Sequence, residues 1–154
     1  MAPEQIHLTL GFFGNSDTDA EEKLIKHLKT IEFGSFFLPL RGVGSFQSRG
    51  AVSVVWLGVG KGHPHLFQLH KEVSDAALAA KIEPDLRPWH PHITLARCRG
   101  ASAQAVRKFV KDNEDLDAGI FPIDHFTLYS SKLSSEGSVY SAELTVPSRP
   151  HRTA

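Results

Sequence analysis

Three features of the sequence predict an α+β fold. Segments of period-two apolar alternation, the clearest being Val52-Ser53-Val54-Val55-Trp56-Leu57-Gly58-Val59, are interspersed with segments of helical period. Several strand-like segments follow one another closely enough to form hairpins, which argues against a doubly wound parallel sheet. The order strand, helix, strands also occurs twice. Each time it opens on the same phrase: His7-Leu8-Thr9-Leu10 and, about 85 residues later, His92-Ile93-Thr94-Leu95.

The elements follow in order. A first strand is expected over residues 5–13, closed by the turn-forming run Gly14-Asn15-Ser16-Asp17. Ser16 or Asp17 then caps a helix, and Asp19, Glu21 and Glu22 suit its positive end. Leu24, Ile25 and Leu28 recur at helical spacing, carrying the helix to about residue 30. Strands are expected over 36–40, 43–46 and 52–59, the last being the most β-prone stretch of the chain. Leu66, Leu69, Val73, Ala76 and Ala77 mark an amphipathic helix over 64–80. A Pro-rich loop, 84–91, leads into the second His-Thr strand. A third helix over 102–113 is expected to bury Ala105, Val106, Phe109 and Val110. Two closing strands, 120–129 and 139–146, are joined by a polar, turn-rich link over 130–138. One domain over 1–146 is expected, with a disordered tail over 147–154.

With 154 residues the chain suits one domain or two closely packed lobes. Its 17 basic and 17 acidic side chains balance, whereas nonspecific binding of long nucleic acid usually needs a basic excess. Balance therefore points to a small target such as a nucleotide or one RNA end. The single Cys98 forms no intrachain disulfide and fits a reducing compartment. No run approaches the roughly 18 apolar residues of a membrane span. The opening residues show neither the basic nor the apolar region of a signal peptide. A cytoplasmic protein that does not engage a membrane is expected.

The repeated phrase carries the chemistry. Alternation sends His7 and Thr9 to one face of a strand and Leu8 and Leu10 to the other; His92 and Thr94 repeat the pattern. One His-x-Thr tripeptide means little. Two copies, each within a strand-like segment and each followed by Leu, are a far more specific signal. Two such strands can set two imidazoles and two hydroxyls around one anion. In-line displacement at phosphorus needs a base on one side and an acid on the other, and imidazole fills either role near neutral pH. Threonine hydroxyls can bond the nonbridging oxygens where charge builds in the transition state. The plain alternative is a pair of half-buried strand histidines bonded to backbone.

The sequence resembles the 2H phosphoesterase superfamily and, within it, the RNA 2′,3′-cyclic phosphodiesterases once called 2′-5′ RNA ligases. The residues that carry the likeness are the run from His7 to Gly14, Val55-Trp56-Leu57-Gly58-Val59, and Pro91-His92-Ile93-Thr94-Leu95-Ala96-Arg97. A fourth block runs from Phe126 to Leu133 and is followed by Gly137-Ser138-Val139-Tyr140. The resemblance implies a bilobal α+β fold: two pseudo-symmetric lobes of mostly antiparallel sheet with outer helices, and the motifs facing each other across a cleft. It implies hydrolysis of a 2′,3′-cyclic phosphate on an RNA 3′ end or nucleotide to a 2′-phosphate, with neither metal nor cofactor. By position His7 would be the acid and His92 the base, with Thr9 and Thr94 on the phosphate. Family members usually carry a strand and a helix ahead of the first motif. The first lobe is therefore expected to be shortened, with an exposed edge open to dimerisation or strand exchange, so that a monomer or a dimer is expected.

Four further residues are candidates for substrate contact. Arg97, three residues after Thr94, either holds a phosphate or braces its strand; by simple alternation it points away from Thr94. Lys132, in a Ser130-Ser131-Lys132 turn, adds positive charge at an RNA end or is an ordinary solvated lysine. Phe46 and Trp89 stack on a base or belong to the core. His63-Pro64-His65 and His90-Pro91-His92 look like metal-ligand pairs, but zinc takes three or four ligands and one cysteine completes no set. His27, His70, His125 and His151 are assigned no chemistry. Two other functions compete with the leading one. One is a phosphodiesterase for another cyclic phosphate or a 2′-5′ oligonucleotide; the other is a nucleotide- or RNA-end-binding module with little turnover. Two intact His-Thr pairs favour an enzyme, since binding alone does not need both imidazoles.

Overall fold

The computed structural model describes residues 3–60, 63–135 and 137–150. Three helices, α1 (Thr18–Leu28), α2 (Pro64–Ala79) and α3 (Ala103–Asp112), accompany seven strands. The strands are β1 (Phe36–Arg41), β2 (Val43–Ser48), β3 (Ala51–Gly58), β4 (His92–Arg97), β5 (Asp117–Ile123), β6 (His125–Ser134) and β7 (Gly137–Pro147). They form three antiparallel sheets: β1–β5, β2–β3–β4 and β6–β7. The α+β class expected from the sequence is the class observed. No helix among the described residues is long and apolar enough to cross a membrane.

Local chemistry accounts for most boundaries. Asp17 caps α1 by accepting the Ala20 N–H at 2.8 Å, and Ser102 caps α3 through the Ala105 N–H. Pro64 opens α2 at a position where no N–H is needed. β2 and β3 are joined by Arg49 and Gly50, both at positive φ (52° and 78°), the combination a two-residue hairpin of matching twist requires. Along β1, Phe36, Leu38 and Leu40 go inward while Phe37 stays 67% exposed, which is the period-two pattern of a half-buried strand. The core joins these residues to Leu24 and Leu28 of α1, Leu66, Leu69 and Val73 of α2, and Val55 and Leu57 of β3.

Five expectations are corrected. The strand over 5–13 is not a ladder: Pro3–Gln5 is a 3₁₀ turn, and Leu8 makes a single antiparallel bridge to Ile93. The backbone acceptors that a neighbouring strand would use are taken by side chains instead. The Thr9 carbonyl accepts the Trp89 indole N–H at 3.1 Å, and the Leu10 carbonyl bonds His70 Nδ1 at 2.7 Å. The strand over 120–129 is two strands, β5 and β6, broken at Asp124. The polar link over 130–138 is largely ladder, paired as far as Ser134 and Gly137, so Lys132 lies in β6 and not in a turn. The outer part of that ribbon, residues 131–134 and 137–140, is exposed on both faces, so it has no apolar alternation to announce it. Helix α3 buries Val106 and half-buries Val110, but Ala105 is exposed and Phe109 is 50% exposed, because only one edge of the helix meets the sheet.

The expected tail is also partly ordered. The Ser148 N–H donates to the Asp124 carbonyl, the Arg149 N–H donates to the Phe33 carbonyl at 2.8 Å, and Arg149 pairs with Glu32. Residues 151–154, His151 among them, lie outside the described residues.

Gly44 of β2 faces Trp56 of β3 across their ladder, and the indole lies over it. A Cβ at Gly44 would stand 2.3 Å from two carbons of that ring. Gly44→Ala is therefore expected to displace Trp56 and cost about 1–3 kcal/mol, seen as a lower urea midpoint at unchanged m-value.

Candidate active site

Motif two is carried by β4, with His92 opposite Gly58 and Thr94 opposite Trp56 of β3. Motif one runs along the free edge of β4, where Leu8 meets Ile93. One antiparallel step either way from that bridge sets His7 against Thr94 and Thr9 against His92. All four side chains then share one face, and Leu8 and Ile93 pack against the core on the other. His7 and Thr9 are exposed, while His92 and Thr94 are half-buried. The four residues singled out in the sequence are thus brought together.

Both histidines are oriented in the same way. His7 Nδ1 lies 2.7 Å from the Gln5 carbonyl, and His92 Nδ1 lies 2.7 Å from the His90 carbonyl, each two residues upstream. A carbonyl only accepts, so Nδ1 carries the hydrogen and Nε2 is left for chemistry. A neutral ring then offers Nε2 as a base, and a charged ring offers it as an acid.

Aromatic side chains wall the His92 side. Phe46 meets His92 edge to face, with centroids 4.8 Å apart at 88°, and Trp56 meets His90 at 4.7 Å. Among the described residues the buried Trp56 Nε1 has no partner. The ring of Tyr140, on β7, lies 6.3 Å from that of His7. The sequence assigned no role to Trp56 or Tyr140. Their positions in the second and fourth resemblance blocks were the available signal.

Arg97 corrects the parity argument. Ala96 pairs with Val55 and Thr94 with Trp56, which leaves Leu95 as an extra residue in β4. This β-bulge shifts the alternation by one, so Arg97 pairs with Val54 on the same face as Trp56 and Thr94. Lys132 pairs with Val139, so it lies on the opposite face of the β6–β7 ribbon from Tyr140. Trp89 is a neighbour of motif one: its N–H bonds the Thr9 carbonyl and its ring stacks on His70 at 3.9 Å and 6°. His63 and His65 both lie on the ring of Phe36, away from these groups. Among the described residues no three His, Cys, Asp or Glu side chains are grouped to hold a metal ion.

The family model of the 2′-5′ RNA ligase superfamily matches residues 2–134. The chain belongs to that superfamily. It is 32% identical over 138 residues to the RNA 2′,3′-cyclic phosphodiesterase of Aeropyrum pernix, covering 89% of this chain and 78% of that protein. It is 29% identical to the protein of the same name from Aquifex aeolicus, covering 90% and 75%. Among solved structures, Escherichia coli LigT in its apo form superposes with a TM-score of 0.79 at 26% identity, covering 97% of this chain and 80% of that one. The fold and the family expected from the repeated motif are both found.

Two imidazoles are held below their ordinary range. Burial, and second the proximity of His65, lowers His63; burial against its aromatic neighbours, and second the proximity of His92, lowers His90. The unfolded chain takes up protons on these rings at higher pH than the native protein does. Below the ordinary value of 6.5 the unfolded state therefore binds more protons, and stability decreases as the pH is lowered. Unfolding free energy is expected to decline on acidification through that range and level off once the native rings protonate. The double variant His63→Gln/His90→Gln should show a shallower decline in denaturant titrations between about pH 8 and 5.

Proposed function

We propose that this protein hydrolyses RNA or nucleotide 2′,3′-cyclic phosphates to 2′-phosphates, without a metal ion. The observation that supports the reading is the Leu8–Ile93 bridge, whose register puts two His-Thr pairs on one face, with both Nδ1 atoms already engaged. The names of the Aeropyrum and Aquifex relatives support the same substrate class.

In this reading His92 Nε2 takes a proton from water as its oxygen attacks phosphorus. The bond from phosphorus to the 3′-oxygen breaks, and His7 Nε2 gives its proton to that oxygen. Charge gathers on the nonbridging oxygens, where Thr9 and Thr94 each supply a hydroxyl from a fixed backbone and little reorganisation is needed. Acid and base both come from the protein, so the step balances without a Lewis acid. Arg97 adds a permanent positive charge from the bulged end of β4, and Phe46, beside His92, offers a ring to the base. Attack by the 5′-hydroxyl of a second RNA in place of water, with the bond to the 3′-oxygen breaking and His7 protonating that oxygen as before, would join RNA ends through a 2′-5′ bond.

Turnover of 2′,3′-cyclic nucleotides is expected to persist in EDTA and to yield the 2′-phosphate; loss of turnover on chelation would sink the metal-free step. The pH profile of kcat/KM should be bell-shaped, since one histidine must be neutral and the other charged. His7→Ala and His92→Ala should each lower kcat by about 10²-fold or more while KM changes little. Tight nucleotide binding with no turnover would instead mark a binding module.

A further inference from the structure

We infer that Trp89 and His70 are positioning residues of this site, forming a stacked two-donor clamp that sets the main chain of motif one. The inference rests on the phosphodiesterase reading. Its starting point is the weak backbone anchorage of motif one, a single bridge at Leu8, set against the precision that acid–base geometry demands. Two consecutive carbonyls, those of Thr9 and Leu10, are held by side chains from distant parts of the chain. In an extended strand consecutive carbonyls point to opposite sides. Here the chain bends at Leu10, and both meet one stack of two nearly parallel rings 3.9 Å apart.

The stack has a firm base. His70 projects from α2, whose Leu66, Leu69 and Val73 are buried in the core, and Phe67 packs edge to face on Trp89 at 5.1 Å. The stack also ties the two motifs together. Trp89 bonds motif one, and the carbonyl of the next residue, His90, orients His92. Pro91 then restricts the backbone between His90 and His92. One short segment, Trp89-His90-Pro91, therefore sets the Thr9 peptide and the His92 ring at once. Displacing it changes the separation of acid and base rather than the affinity for substrate.

Trp89→Phe keeps a ring for His70 and removes only the N–H. His70→Leu removes the donor at Leu10, and His70→Asn keeps a donor near the place of Nδ1. In hydrolysis of a 2′,3′-cyclic nucleotide, Trp89→Phe and His70→Leu should lower kcat by about tenfold or more with KM within about twofold, and His70→Asn should recover most of the loss. The double variant Trp89→Phe/His70→Leu should lose less than the product of the two single losses, because both break one clamp. In parallel, the His7 imidazole signals in proton NMR should shift in Trp89→Phe. Variants with a lower melting temperature but unchanged kcat and unmoved His7 signals would overturn the clamp. If the wild-type protein has no turnover, the phosphodiesterase reading fails, and the clamp stands or falls on the His7 signals alone.

Discussion

Motif one must be held beside β4 by very little backbone. Ordering one residue costs about 1–2 kcal/mol of backbone entropy, and a typical hydrogen bond returns about 1 kcal/mol net. The Leu8 bridge and the bonds to the Thr9 and Leu10 carbonyls cannot by themselves offset the ordering of this segment. The remainder comes from its apolar side: Leu8, Leu10 and Phe13 all pack against the core. All three are partly buried, so each contributes a fraction of the roughly 1.5–3 kcal/mol of a fully buried side chain of that size. The apolar half of the alternation therefore fixes the segment, and that leaves the polar half, His7 and Thr9, free to face outward.

The two copies of the motif reach the same geometry by different means. His92 and Thr94 are placed by a ladder, since β3 fixes β4 residue by residue. His7 and Thr9 are placed by side chains, one from α2 and one from the loop before β4. What they share is local: each imidazole leans back on the carbonyl two residues upstream. That contact needs only the shape of a tripeptide. For His92, Pro91 restricts that shape; for His7, Gln5 is the last residue of a 3₁₀ turn. Identical ring orientation thus survives very different tertiary surroundings.

The same division explains what could be read from the sequence. Helices depend on neighbours along the chain, so a cap at Ser16 or Asp17 and apolar residues at helical spacing marked the three helices, and the β-branched run in β3 marked its strand. The four His and Thr residues were legible because alternation is a local property. Arg97 was misread because its face depends on a bulge at Leu95, which arises from pairing with β3. The bond from Trp89 was not legible because its partner, Thr9, lies 80 positions away. Only the outer end of the β6–β7 ribbon was missed, since residues 131–134 and 137–140 are exposed on both faces and carry no apolar period.

Charge at the site follows from the same placements. The β4 bulge brings one permanent cation, Arg97, to the histidine face, while the register of β6 turns Lys132 away from Tyr140. Burial among aromatic rings, and second the proximity of His92, disfavours a charge on His90. Each phosphate contacted by a cation releases condensed counterions, and gripping a long polyanion takes many such contacts. A protein of zero net charge with this face has few to offer. On the proposed reading, two imidazoles and two hydroxyls would meet one phosphate, which favours a terminal group or a mononucleotide over the body of an RNA.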